Sequence, residues 1–197
     1  MNFDTFVLLG CGPSLTQADV DFVRDQARVI AINNAYTLAP WAFCLYAADA
    51  KWWKWENGAP GFLGMKYSIE SPHDPVTWPN VTVLKNTGLV GLDLDPHGLR
   101  AGFNSGYQAI NLAVHFGARR IVLLGYDMAP NPHGPSHFFG EHPDKAPSPY
   151  EQMREAFLSL VEPLNDIGVE VVNCTPGSAL TCFPSLPLRD VFAEVAA

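Results

Sequence analysis

Positive charge is scarce in this chain. Twelve Lys and Arg stand against 20 Asp and Glu, for a formal net charge of −8. A protein that grips a nucleic-acid backbone needs a basic face to displace counterions, so a DNA- or RNA-binding scaffold is not expected, although a single nucleotide is a plausible ligand. Charged residues of both signs make up only 16% of the chain and hydrophobic residues 48%, which excludes a disordered chain and describes a globular one. No apolar run approaches the roughly 20 residues that span a bilayer, so no membrane span is expected. The opening Met1-Asn-Phe-Asp-Thr5 lacks a basic n-region and leads straight into a strand, unlike a signal peptide. Cys11, Cys44, Cys174 and Cys182 show no paired spacing. The expectation is reduced thiols in a cytoplasmic setting, and a bacterial cell or a phage-infected one fits equally.

Two familiar phosphate-binding signatures are missing as well. The apolar run Phe6-Val-Leu-Leu9 is followed at once by the turn Gly10-Cys-Gly-Pro-Ser14. No Gly-Lys-Ser/Thr follows at Walker spacing. Leu15 stands where a dinucleotide fingerprint has its third glycine, and Asn33 rather than an acid ends the second strand. A glycine turn between a strand and a helix still lets backbone N–H groups approach a phosphate at the positive end of the helix dipole. The alternative is an ordinary turn that needs glycine for its backbone conformation.

What is present is an alternation of buried strands and amphipathic helices. Strands are expected at 6–9, 29–32, 43–48, 81–84, 121–124 and 169–172. Helices are expected from Thr16, as cap with Asp19 in the first turn, to about Asp25, at 51–55, from Asn104-Ser105-Gly106 to Gly117, from Ser148 onward, and as a short element from Leu188. Ser105 reads as the cap of the third of these, and Ser148, Pro149 and Glu151 as a capping box for the fourth. Continuously apolar strands indicate a parallel sheet covered on both faces. The expectation is therefore an α/β fold with a doubly wound, mostly parallel, Rossmann-like sheet and an irregular insertion. Residues 1–197 form a single nucleotide-binding domain in this reading, with 56–102, rich in Pro and Gly, as the irregular insertion or lid.

Each apolar strand ends in residues suited to a site: Gly10-Cys11-Gly12, Asn33-Asn34, Asp49, Asp127 and Asn173. In open α/β sheets ligands bind along that edge, although Asn and Asp also favour turns for local reasons. Ser105 and Gly106 at a helix start offer a hydroxyl and N–H groups to a phosphate. His133, His137 and His142 share one loop with Asp144 and Lys145, where a histidine can serve as acid or base. A solvated surface histidine is the plain alternative, and His-x4-His in a loop lacks the register of zinc motifs. Trp52, Trp53 and Trp55 read as a packed edge, and His97 and His115 as structural.

Leu9-Gly-Cys-Gly-Pro-Ser-Leu15 resembles the Gly-x-Gly-Pro-Ser-Leu signature of two related families, the archaeal-type 6-hydroxymethylpterin diphosphokinase-like family and the Campylobacter-type bacterial sialyltransferases. Ser105-Gly106 with its helix, followed by Gly117-Ala-Arg-Arg-Ile-Val-Leu-Leu-Gly-Tyr-Asp127, is similar to the second block the two share. The resemblance implies a Rossmann-like nucleotide-binding domain, with Gly10, Cys11, Gly12, Pro13, Ser14, Asn33, Ser105 and Gly106 at the donor nucleotide. Cys11 stands where the sialyltransferase turn has Asn. His137-Phe-Phe-Gly-Glu-His142 is similar to the segment carrying that family's catalytic base, with Glu141 as an added residue, so the resemblance points to His137 or His142. The diphosphokinase-like branch implies a triphosphate nucleotide such as ATP and a Mg²⁺ ion beside Asp49 and Asp127. The sialyltransferase-like branch implies a CMP-sugar.

From the residues and the resemblance together, the expectation is a nucleotide-dependent transferase. Gly10–Ser14, Asn33, Asn34, Asp49, Asn104, Ser105 and Gly106 would bind the nucleotide, and Asp127, His137 and His142 would carry the chemistry on an unidentified acceptor. A non-catalytic nucleotide-binding module is the alternative, a purely structural subunit the third reading, and a homo-oligomer is compatible with each.

Overall fold

The computed structural model describes residues 2–141, 143 and 148–193. Its strands are β1 (Asn2–Leu9), β2 (Ala27–Ile32), β3 (Cys44–Tyr46), β4 (Met65–Ile69), β5 (Thr82–Asn86), β6 (Gly98–Leu99), β7 (Arg120–Leu124) and β8 (Glu170–Asn173). Its α-helices are α1 (Gln17–Val23), α2 (Ala50–Trp55), α3 (Ser105–His115), α4 (Tyr150–Asp166) and α5 (Leu188–Ala193). The strands form one sheet in the order β6-β5-β4-β3-β2-β1-β7-β8, with every pairing parallel. None of the described helices is long and apolar enough to cross a membrane.

The period of a strand explains why β1 is apolar throughout. Phe6 and Leu8 enter one core with residues of α3 and α4, and Val7 and Leu9 enter the opposite core with residues of α1 and α2. Each of these four side chains is fully buried. Trp52 and Trp53 belong to the second core, and their indole N–H groups donate to Asn34 and the Ala47 carbonyl. They are packing residues.

Residues 56–102 extend the sheet rather than forming a lid, because β4, β5 and β6 all lie within them. The expected strand at 81–84 is β5, whereas periodicity hides β4 and β6. Polar Lys66 and Ser68 break up β4, and β6 is two residues long. Lys66 is nevertheless buried, with its ammonium donating to the Gly58 and Ala59 carbonyls just beyond α2. There it meets the negative end of the helix dipole.

Two helix starts differ from expectation. Asn104, not Ser105, caps α3, and its Oδ1 accepts the Tyr107 N–H at 2.9 Å. The Ser105 hydroxyl instead accepts the Ala48 N–H at 3.2 Å, tying the end of β3 to α3. The Ser148/Glu151 capping box does not form at α4. Pro149 occupies the cap position with no side-chain bond, and the Tyr150 N–H reaches back to the Ser148 carbonyl. Thr16 caps α1 as read: its Oγ1 accepts the Asp19 N–H, and the Asp19 carboxylate accepts the Thr16 hydroxyl. Asn104→Ala should lower stability by about 1 kcal/mol, seen as an earlier urea midpoint at unchanged slope.

The order of connections fixes where a ligand crevice opens. From β1 the chain moves through α1, on one face, to β2. From β6 it returns through α3 to β7 on the other side of β1, and then through α4, on the opposite face, to β8. Crossovers that leave neighbouring strands in opposite directions part above β1 and β7. That switch point at the carboxyl edge is the binding position in open α/β sheets.

Candidate functional site

A cavity of about 260 Å³ lies at the switch point. The end of β1 gives it Gly10, Cys11 and Gly12, β2 gives Asn33, and Asp49 follows β3. The start of α3 gives Asn104, Ser105 and Gly106, and the end of β7 gives Gly125, Tyr126 and Asp127. A loop after β7 adds Met128 and His137, and the start of α4 adds Tyr150 and Met153. Ten of the residues singled out from the sequence therefore share one cavity. The volume falls just below the ~300–1,000 Å³ usual for small-molecule pockets.

The glycine turn is held by packing against β7. A Cβ on Gly10 would lie 2.5 Å from the Gly125 carbonyl oxygen, and one on Gly12 would lie 1.8 Å from Asp127 Oδ2. The Gly10 and Gly12 N–H groups donate to the carbonyls of Leu124 and Gly125. Asp127 then supplies its own anion to the turn. One carboxylate oxygen accepts the Ser14 N–H at 3.2 Å, and the other accepts the Ser14 hydroxyl at 2.8 Å. The donors that a sequence reading offers to a phosphate at Ser14 are thus engaged by a carboxylate. Pro13 and Ser14 are not on the cavity wall.

Asn34 is likewise directed elsewhere. Its carboxamide accepts from Trp52 and donates to Glu56, which fastens the segment after β2 to α2. Asn33 is on the wall, in a left-handed conformation with φ 48°, and its buried Oδ1 has no hydrogen-bond partner among the described residues. Phe103 (φ 63°) and Met128 (φ 52°) are left-handed wall residues too. Three of the five non-glycine residues of this kind among those described therefore surround the cavity. Such backbone costs on the order of 1–3 kcal/mol each and concentrates at functional sites.

His137 is the described histidine of the loop that reaches the wall; His133 is exposed. Its ring stacks on Phe139 with centroids 5.0 Å apart, and the next residue, Phe138, donates its N–H to the Cys11 carbonyl at 3.1 Å. Glu141 accepts the Ser136 N–H, so the added residue of this segment braces the loop from within. His142, with Asp144 and Lys145, lies outside the described residues.

Cys11 is no nucleophile. Its thiol donates to the Ile32 carbonyl at 3.1 Å, and burial pushes its pKa up to about 12. Burial raises Cys174 and Cys182 to about 11. All four cysteines are free of disulfides. With the folded-state pKa raised, the thiolate is scarce at pH 8. Native protein should therefore resist iodoacetamide at pH 8, while urea-unfolded protein takes up four labels by intact mass.

Asp49 and Asp127 give the cavity two carboxylates, and no Lys or Arg among the described residues lines it. A Mg²⁺ ion accepts one or two carboxylates plus phosphate oxygens. Both are carboxylates of the type such an ion takes, and Asp127 is engaged with Ser14. No three His, Cys, Asp or Glu come together as a metal-holding group among the described residues. The sequence reading overlooked Phe103, Tyr126, Met128, Tyr150 and Met153. Tyr126 lay inside a quoted block without being singled out, Met153 reads from its spacing as part of the apolar stripe of the fourth helix, and Phe103, Met128 and Tyr150 carry no spacing signal.

Comparison with known proteins returns no matching family model, no similar curated protein and no similar solved structure.

Proposed function

We propose that the protein is a nucleotide-dependent transferase whose donor nucleotide binds in the switch-point cavity. The observation that carries this reading is convergence. Six separated segments, each ending or starting a core element, meet around one cavity with a histidine on its wall. The engagement of Asp127 with Ser14 moves the proposed phosphate site away from Gly12–Ser14 and toward the start of α3. There the helix N-terminus faces the cavity with Ser105 and Gly106. Asn33 Oδ1 would accept an N–H or O–H of the base or ribose.

A cavity wall without Lys or Arg suits a donor with one or two phosphates better than a triphosphate, which favours the nucleotide-sugar branch over the diphosphokinase one. In such a transfer the acceptor hydroxyl forms the new C–O bond. The sugar–phosphate bond breaks with its electron pair on the leaving nucleotide, and His137 takes the acceptor proton. Mg²⁺, if used with ATP, would be held by Asp49 and would neutralise phosphate charge.

The second reading, a nucleotide-binding module without turnover, is favoured by the same lack of wall cations. The free thiols suit a cytoplasmic setting. A thermal-shift panel of CMP, CDP, ATP and GTP, each with and without Mg²⁺, separates these readings. A rise in Tm with CMP or CDP that needs no metal supports the nucleotide-sugar branch, and a rise with ATP that needs Mg²⁺ supports the other. No rise with any nucleotide sinks both. Stabilisation without consumption of CMP-linked sugars or ATP identifies the module.

A further inference from the structure

The cavity poses a charge problem. Asp49 and Asp127 already make its wall negative, and the proposed ligand adds phosphate to the same space. Arg154 stands one residue beyond Met153 and one helical turn beyond Tyr150, both wall residues of α4. Its guanidinium Nη1 donates to the Met128 carbonyl at 2.8 Å, and Met128 is itself on the wall in a left-handed conformation. Arg154 makes no ion pair among the described residues.

A single neutral carbonyl is a poor match for a guanidinium. Its planar fork of five N–H donors pairs best with two oxygens of a carboxylate or phosphate. We infer that Arg154 is the phosphate-recognising cation of this cavity, resting on the Met128 carbonyl until a nucleotide phosphate takes its fork. This inference depends on the nucleotide reading above and adds the residue that makes an anionic ligand tolerable there. The competing role is scaffolding, in which the guanidinium serves only to hold Met128 in its strained conformation. Glycine adopts positive φ without that strain, so Met128→Gly removes the need for such a clamp.

The test titrates the full chain calorimetrically with CMP and ATP and with the matching nucleosides cytidine and adenosine. The proteins are wild type, R154A, R154Q, R154K and the double variant R154A/M128G. Loss of a charge-assisted fork should weaken nucleotide binding about tenfold or more in R154A and R154Q while leaving nucleoside binding within about twofold. R154K should recover part of the loss and M128G none. Three results overturn the inference: nucleotide binding as tight as wild type in R154A or R154Q, equal weakening of nucleotide and nucleoside, or rescue by M128G. The wild-type arm reads the underlying proposal by itself. If wild type binds no nucleotide, that proposal fails and the role of Arg154 falls with it.

Discussion

Gly12→Ala should cost the fold about 3 kcal/mol or more, a large share of the ~5–15 kcal/mol that holds a domain of this size together. The new methyl would lie 1.8 Å from Asp127 Oδ2 and 2.7 Å from the Gly125 carbonyl oxygen. The second atom is backbone and cannot swing away. Displacing the carboxylate also breaks both of its bonds to Ser14. Gly61→Ala is the control, since nothing lies within 4 Å of its added Cβ and its φ is not positive. It should stay within about 0.5 kcal/mol of wild type. Urea midpoints of the two variants check this directly. Equal stability would mean that the turn opens away from β7 in solution and that its glycines serve a ligand instead.

His137→Ala should lower turnover by about 10²–10⁴-fold, the usual worth of a positioned acid or base. Nucleotide affinity should stay within a factor of about three, because the proposed phosphate and base contacts come from α3, from Arg154 of α4 and from the end of β2. The expectation of a clean split rests on how the loop is anchored. Phe138 is pinned to Cys11 through its backbone, and Gly140 bonds back to His137, so removing the imidazole leaves the loop where it is. Steady-state kinetics with a nucleotide-sugar donor, alongside calorimetric Kd values, give both numbers. A parallel fall in affinity and turnover would make His137 a binding residue rather than a base.

The parallel sheet was legible because its central strands are unbroken apolar runs, a pattern imposed by burial on both faces. The edge was not. The strand over 65–69 carries a buried lysine whose partners, Gly58 and Ala59, are set by a turn no local pattern reveals. The polar residues at the strand ends were legible as a group, since topology brings all carboxyl ends to one edge. Their individual roles were not. Asn33 and Asn34 are neighbours of the same type, yet a left-handed φ turns the first to the cavity while Trp52 and Glu56 claim the second. Ser14 and Asp127, 113 residues apart in the chain, each looked like a ligand-binding group. Their mutual hydrogen bonds exist only once β1 and β7 lie side by side. Phe103 and Arg154 escaped notice for a related reason. Their interest comes from backbone conformation and from a carbonyl on another element.

Backbone amide chemical shifts of ¹⁵N-labelled full-length protein, followed during titration with CMP and with ATP plus Mg²⁺, test the switch-point site most directly. Binding there should move the amides of Asn33, Ser105 and Gly106 together on one saturation curve and leave those of α5, which gives no residue to the cavity wall, unchanged. No movement with either nucleotide, or movement centred on α5, would contradict a nucleotide site at the carboxyl ends of β1, β2 and β7.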